Sequence, residues 1–208
     1  AVKIDYLRNK PQPEQRSQEW YEFRHTLITA SSVWQAIDSQ SCIDRLIVDK
    51  CKPISVHANT GVNTESPFHW GVKYEEVSVM IYNLKYNTKV EDFGCIPHDT
   101  HKFIGASPDG INTDPSSNRY GRMLEIKNIV NRDITGIPKK EYWIQMQFQM
   151  ETCNLNECDF LETRIKEYEN KEAFDSDGTF NKTKNGNYKG ILLYFLVDNK
   201  PYYEYCPL

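Results

Sequence analysis

Apolar residues recur along this chain with periods that switch between about 3.6 and 2, and the switches lay out its elements. Residues 1–16 are polar, carry Pro11 and Pro13, and read as an extended N-terminal arm. Ser17 is placed to cap a helix through Arg24, and a second helix is expected from Ser31 or Ser32 to Ile37. Ile43, Leu46 and Ile47 predict a third helix over about 41–51, and residues 52–68 read as a loop. From Trp70 to Leu84, Val72, Val79 and Leu84, with Tyr74, Val77 and Ile81, suit a mostly buried helix.

Strands are expected next over 89–97 and 102–107, the latter ending in the turn chemistry of Ser107-Pro108-Asp109-Gly110. A polar hairpin loop over 112–120 leads to a strand at 121–128. Pro138 can open a helix running to about Thr152. Residues 157–166 alternate as a strand, 168–188 form a polar loop, 191–197 read as a buried strand and 201–206 as an edge strand. There is no internal repeat. This order implies an α/β layer fold around a mixed sheet. The length of 208 residues suggests one domain: an arm (1–16), a core (17–166) and a loop with C-terminal strands (167–208).

Composition narrows the class. With 39% hydrophobic and 26% charged residues the chain reads as soluble, and no apolar run approaches a bilayer span. Its first residues show no apolar signal segment. Of six cysteines none forms a CxxC pair, which argues against a zinc site and for free thiols in a reducing, intracellular compartment. A net charge of −4 does not advertise nucleic-acid binding, but DNA needs only a local basic surface. Candidates for one are Arg119 with Arg122, Arg132, Lys139 with Lys140, and the lysines of 182–189. His98 and His101 have no further ligand spacing around them and are taken as incidental.

The strongest chemical signal is Ser107-Pro108-Asp109, then fifteen residues, then Glu125-Ile126-Lys127. On a strand Glu125 and Lys127 share a face. If the strands before and after the 112–120 loop form a hairpin, Asp109 and Glu125 meet at one end of the sheet. Two close carboxylates repel unless a divalent cation fills the gap, and hard oxygen ligands suit Mg²⁺ or Mn²⁺. Lys127 would orient or deprotonate the attacking water, or stabilise charge on phosphorus, and the Ile126 carbonyl could add a ligand. An isolated ExK more often marks an exposed strand pair and Pro-Asp-Gly a plain turn. Here the pair sits within the apolar Met123-Leu124-Ile126, with the turn at hairpin distance upstream.

Five segments in order resemble the lambda-exonuclease and YqaJ-like viral recombinase group of the PD-(D/E)XK nucleases. They are Trp20-Tyr21-Glu22-Phe23-Arg24 with Ile28-Thr29-Ala30-Ser31; Trp70-Gly71-Val72-Lys73-Tyr74-Glu75; Gly105-Ala106-Ser107-Pro108-Asp109-Gly110; Leu124-Glu125-Ile126-Lys127; and Tyr142-Trp143-Ile144-Gln145-Met146-Gln147. The tail from Gly190 to Leu208 is similar to versions in large DNA viruses.

The resemblance implies a restriction-endonuclease-like core, a central mixed sheet flanked by helices. It implies Glu75, Asp109 and Glu125 as metal ligands, Lys127 as the catalytic lysine and Gln145 beside the active site; the GxxxE spacing selects Glu75 over Glu76. Arg24 and Ser31, seven residues apart, match an Arg and Ser that bind a terminal 5′-phosphate. The charge-assisted fork of an arginine suits that anion, and a serine at a helix start would add its hydroxyl. Some nucleases of the superfamily carry an iron–sulfur cluster, which the cysteine spacing here does not support.

The expected activity is Mg²⁺-dependent 5′-to-3′ digestion of one strand of double-stranded DNA from its ends, for recombination or repair. Its expected partners are DNA ends, a single-strand-annealing recombinase and further copies of the chain, since the family includes rings that encircle DNA. The compartment would be the host cytoplasm for a viral protein. Two alternatives stand beside it: a structure-specific endonuclease on the same core, and a non-catalytic DNA-binding module. The Arg24–Ser31 pairing favours the exonuclease, because an endonuclease has no terminal phosphate to hold. Intact Asp109, Glu125 and Lys127 argue against the module.

Overall fold

The structure, a computed structural model, describes residues 2–14, 17–54, 63–64, 66–198 and 200–208. It is a mixed α/β fold whose residues gather into two compact units, one from 1–58, 88–125 and 135–160, the other from 59–87, 126–134 and 161–208. The division does not follow chain order.

In the first unit the chain begins with α1 (Val2–Arg8), where an extended arm was expected. Ile4 and Leu7, 2% and 1% exposed, join Phe93, Ile96, Ile111, Met123 and Cys153 in one core. Seven residues do not hold a helix alone, so burial of this pair stabilises α1. Helix α2 (Gln18–His25) starts as expected at Ser17, whose hydroxyl accepts from the Trp20 amide at 3.1 Å. Strand β1 (Ile28–Thr29), a short 3₁₀ helix (Val33–Ile37) and α3 (Gln40–Cys51) follow.

The single strand expected over 89–97 is two, β2 (Val90–Glu91) and β3 (Ile96–Pro97). Between them Gly94 takes the left-handed conformation (φ 64°), which breaks the extended run. β4 (Ile104–Ala106) lies between β1, parallel to it, and β3, antiparallel. This corrects the expected hairpin, because the 102–107 strand does not pair with 121–128. Its place is taken by β5 (Gly110–Asn112), antiparallel to β6 (Met123–Asn128), with Gly110 opposite Leu124 and Ile111 opposite Met123. With β7 (Cys158–Thr163) they form a sheet ordered β2-β5-β6-β7, whose last two strands run on into the second unit. A Cβ on Gly110 would collide with Val90 Cγ1 and lie 3.3 Å from the Glu91 carbonyl, so β2 and β5 approach closely only because residue 110 is glycine. Helix α5 (Lys140–Cys153) opens one residue past Pro138-Lys139 and ends on left-handed Asn154.

In the second unit α4 (Pro67–Tyr86) starts from the Ser66 cap with proline in its first turn and stops at left-handed Asn87. The expected 168–188 loop contains α6 (Lys171–Ser176). Most of the 52–68 loop lies outside the described residues. The C-terminal hairpin pairs β8 (Leu192–Val197) with β9 (Lys200–Tyr205). β9 is tied to α4: the Tyr205 hydroxyl donates to the Lys73 carbonyl at 2.7 Å, and the Tyr203 hydroxyl lies 2.5 Å from His69 Nε2. β8 is not the buried strand its apolar run predicts. Leu193, Phe195 and Val197 are 55%, 45% and 54% exposed, because a two-stranded sheet leaves β8 as an edge.

Candidate functional site

The first unit holds five of the expected site residues: Arg24, Ser31, Asp109, Glu125 and Gln145. Glu125 is wholly buried in β6. Asp109 immediately precedes β5, whose Gly110 pairs with Leu124, the neighbour of Glu125 in β6. Both charges reach Cys158: burial is the main cause that pushes its thiol pKa up, and Glu125, Asp159 and Asp109 add to it. A carboxylate without solvent needs a donor or a cation. One donor is Gln149, whose Nε2 lies 2.7 Å from Glu125 Oε2. Sequence reading named the half-buried Gln145 and missed Gln149, although the i,i+4 spacing puts both on one face of α5.

Arg24 is joined to the same turn. Its Nη1 donates to Ser107 Oγ at 2.6 Å, and its guanidinium lies 4.6 Å over the Trp20 ring. The parallel register pairs Thr29 with Gly105, after which the chain turns, the Ser32 amide donating to the Thr29 carbonyl at 2.8 Å. Ser31 is exposed, its hydroxyl 3.2 Å from that of Thr29. Of the two expected helix starts, Ser31 and Ser32, Ser32 holds the cap position, and the helix, a five-residue 3₁₀ helix, ends at Ile37 as expected. The last turn of α3 braces Arg24, with Lys50 Nζ donating to the Arg24 carbonyl at 3.2 Å and the Asp49 carbonyl 3.2 Å from His25 Nε2. Burial, and then the charge of Arg24, hold the Lys50 ammonium below the usual lysine range. Sequence reading missed Ser107 and Lys50 as neighbours of Arg24, although Ser107 belongs to the Ser-Pro-Asp segment itself.

The second unit holds Glu75, Ile126 and Lys127. Glu75 is half-buried on α4, while Glu76 is exposed. One turn further along α4, the Ser78 hydroxyl donates to Asn128 Oδ1 at 2.7 Å, and the Thr163 hydroxyl donates to the same oxygen at 2.6 Å. Asn128 Nδ2 in turn donates to the Gly71 carbonyl at 2.9 Å. This network pins the segment of α4 that carries Glu75 and the end of β6 next to Lys127.

The expected basic surface is largely engaged elsewhere. Arg119 and Arg122 pair with Asp159, and Arg122 also with Glu157. Arg132 binds Glu162, whose side chain is 1% exposed. Lys189 is 5% exposed and donates to the carbonyls of Phe174 and Asp177. Among the described residues no group of three or more His, Cys, Asp or Glu forms a metal-ligand cluster. Mg²⁺, however, usually takes only one or two carboxylates, with water and substrate phosphate completing its shell. The Asp109–Glu125 donor set is of that hard, anionic kind.

The α/β fold with mixed sheets is that of the PD-(D/E)XK class, and it carries Asp109 in the turn before β5, Glu125 in β6 and a lysine two residues on in the same strand. The YqaJ-like viral recombinase domain matches residues 19–156, more than half of the chain, and the chain belongs to that family. It is 34% identical over 191 residues to uncharacterized protein R354 of Acanthamoeba polyphaga mimivirus, an alignment that covers 85% of this chain. The match spans only 34% of that relative's length. Among solved structures the chain is similar to the alkaline exonuclease LHK-Exo of Laribacter hongkongensis, with 26% identity and a TM-score of 0.56 over 71% of this chain and 74% of that one. LHK-Exo in complex with dAMP gives 27% identity and a TM-score of 0.54 over 70% and 73%. Among the described residues no helix is long and apolar enough to cross a membrane.

Proposed function

We propose that this chain is a Mg²⁺-dependent exonuclease that degrades one strand of double-stranded DNA from its 5′ end. The observation that carries the reading is the 2.6 Å hydrogen bond from Arg24 to Ser107, which ties an end-binding cation to the turn that presents Asp109. The fold likeness to an alkaline exonuclease and the dAMP complex of that enzyme support it, since dAMP bears a phosphate monoester like that of a 5′ end.

In this reading Arg24, with Ser31, grips the terminal phosphate and sets the next phosphodiester against Asp109 and Glu125. Those two carboxylates hold the cation, for which Mn²⁺ can substitute. When bound, the cation neutralises charge on the scissile phosphate and makes water a better nucleophile. Lys127 orients or deprotonates that water or steadies the developing charge, and Gln145 lies beside it. The single-stranded tails left behind suit a strand-annealing recombinase.

The test compares 5′-phosphorylated with 5′-hydroxyl duplex, and linear with closed circular DNA, at fixed salt and Mg²⁺. Phosphorylated linear ends are expected to be degraded fastest. Arg24→Ala should remove most of that preference, since such a charge-assisted contact contributes about 2–3 kcal/mol. Ser31→Ala should remove less. Equal cutting of circles, or indifference to the terminal phosphate, would turn the assignment to an endonuclease.

A further inference from the structure

Gln149 is wholly buried on α5, and its bond to Glu125 is itself buried. A carboxylate oxygen is an acceptor, so the amide end facing it is the NH₂ group. The other end, Oε1, is buried with no partner among the described residues, as is the hydroxyl of Thr152 three residues later. An enclosed amide oxygen without a donor pays desolvation with no return. A methionine of similar size would avoid that penalty and fill the same space. Packing therefore gives no reason for an amide at position 149; the donor aimed at Glu125 does.

We propose that Gln149 is a positioning residue that fixes the Glu125 carboxylate for ligating a divalent cation. This rests on the reading that Asp109 and Glu125 hold such a cation. Hydrogen bonds to a ligand from outside the coordination sphere hold its orientation, and their loss typically weakens metal binding about 10–100-fold. Gln149 acts through Glu125 and touches neither substrate nor metal.

The experiment is a Mn²⁺ titration of the full chain without DNA, followed by calorimetry and by the spectroscopic signal of free Mn²⁺, with melting temperatures alongside. The variants are Gln149→Met, Thr152→Val and Glu125→Gln. Wild type should bind Mn²⁺, and Glu125→Gln should abolish tight binding. Gln149→Met should melt at or above the wild-type temperature yet bind Mn²⁺ about 10–100-fold more weakly. Its cleavage should need correspondingly more Mg²⁺ and recover most of kcat at saturation. Thr152→Val, which removes the neighbouring partnerless group without touching Glu125, should bind as wild type. Wild-type affinity in Gln149→Met overturns the role of Gln149 alone. A Gln149→Met chain that does not fold also overturns it, because packing would then require the amide. Absence of Mn²⁺ binding in wild type, or its persistence in Glu125→Gln, overturns the carboxylate-held cation and this inference with it.

Discussion

Lys127 makes the sharpest demand at the scale of single residues. It lies on β6 two residues beyond Glu125 and directly before Asn128, whose side chain is held from three sides. One ammonium among many phosphate contacts adds little to affinity. Proton transfer or charge stabilisation at the reacting phosphate is commonly worth about 10²–10⁴ in rate. Lys127→Ala should therefore lose turnover by that order in single-turnover assays while filter binding changes little. Near-normal turnover at saturating DNA and Mg²⁺ would make the ExK segment structural. Glu125 and Lys127 could be singled out in the sequence because charge inside an apolar strand needs a reason, and Asp109 because its turn lies at hairpin distance upstream. Gln149 could not, because an amide on a helix reads as surface until its neighbour across the core is known. Ser107 was hidden differently: its partner Arg24 is 83 residues away, and no local pattern joins them.

At the scale of elements, the two-residue strands were the hardest to read. β1, β2 and β3 are too short to show alternation, and their pairing comes from long-range contacts. The consequence for the site lies at Gly110, where β5 presses against β2. Gly110→Ala drives a Cβ into the stiff side chain of Val90, a kind of overpacking that typically costs about 1–3 kcal/mol. The melting temperature should fall by several degrees, and activity should fall further than stability because Asp109 is the next residue. Adding Val90→Ala should restore both in part. Loss of activity that the second change leaves untouched would show that β2 does not set the position of Asp109. α1 was misread for the opposite reason: its two buried residues stand at i and i+3, but the prolines after them draw the eye to an extended chain.

At the scale of the whole molecule, the long helices α3, α4 and α5 and the order of elements were legible, because each carries several turns of periodicity. How the chain divides was not: segments from three parts of the sequence build each unit, and no change in composition marks the joins. Nor did apolar character report burial in the tail. The six residues of β8 carry no charge, and their outer edge lacks a partner strand in the sheet. At the bench this strand sets a ceiling on sample concentration. Concentrated protein should scatter light well before its surface charge alone would suggest, more so near its pI of 5.8, where repulsion between molecules fades. Leu193→Lys places a cation opposite Glu204 in the hairpin register and should raise that ceiling, with the melting temperature and nuclease rate unchanged. Light scattering that is the same in both proteins would clear β8 of the charge. For crystallisation or solution scattering, it is the first surface to change.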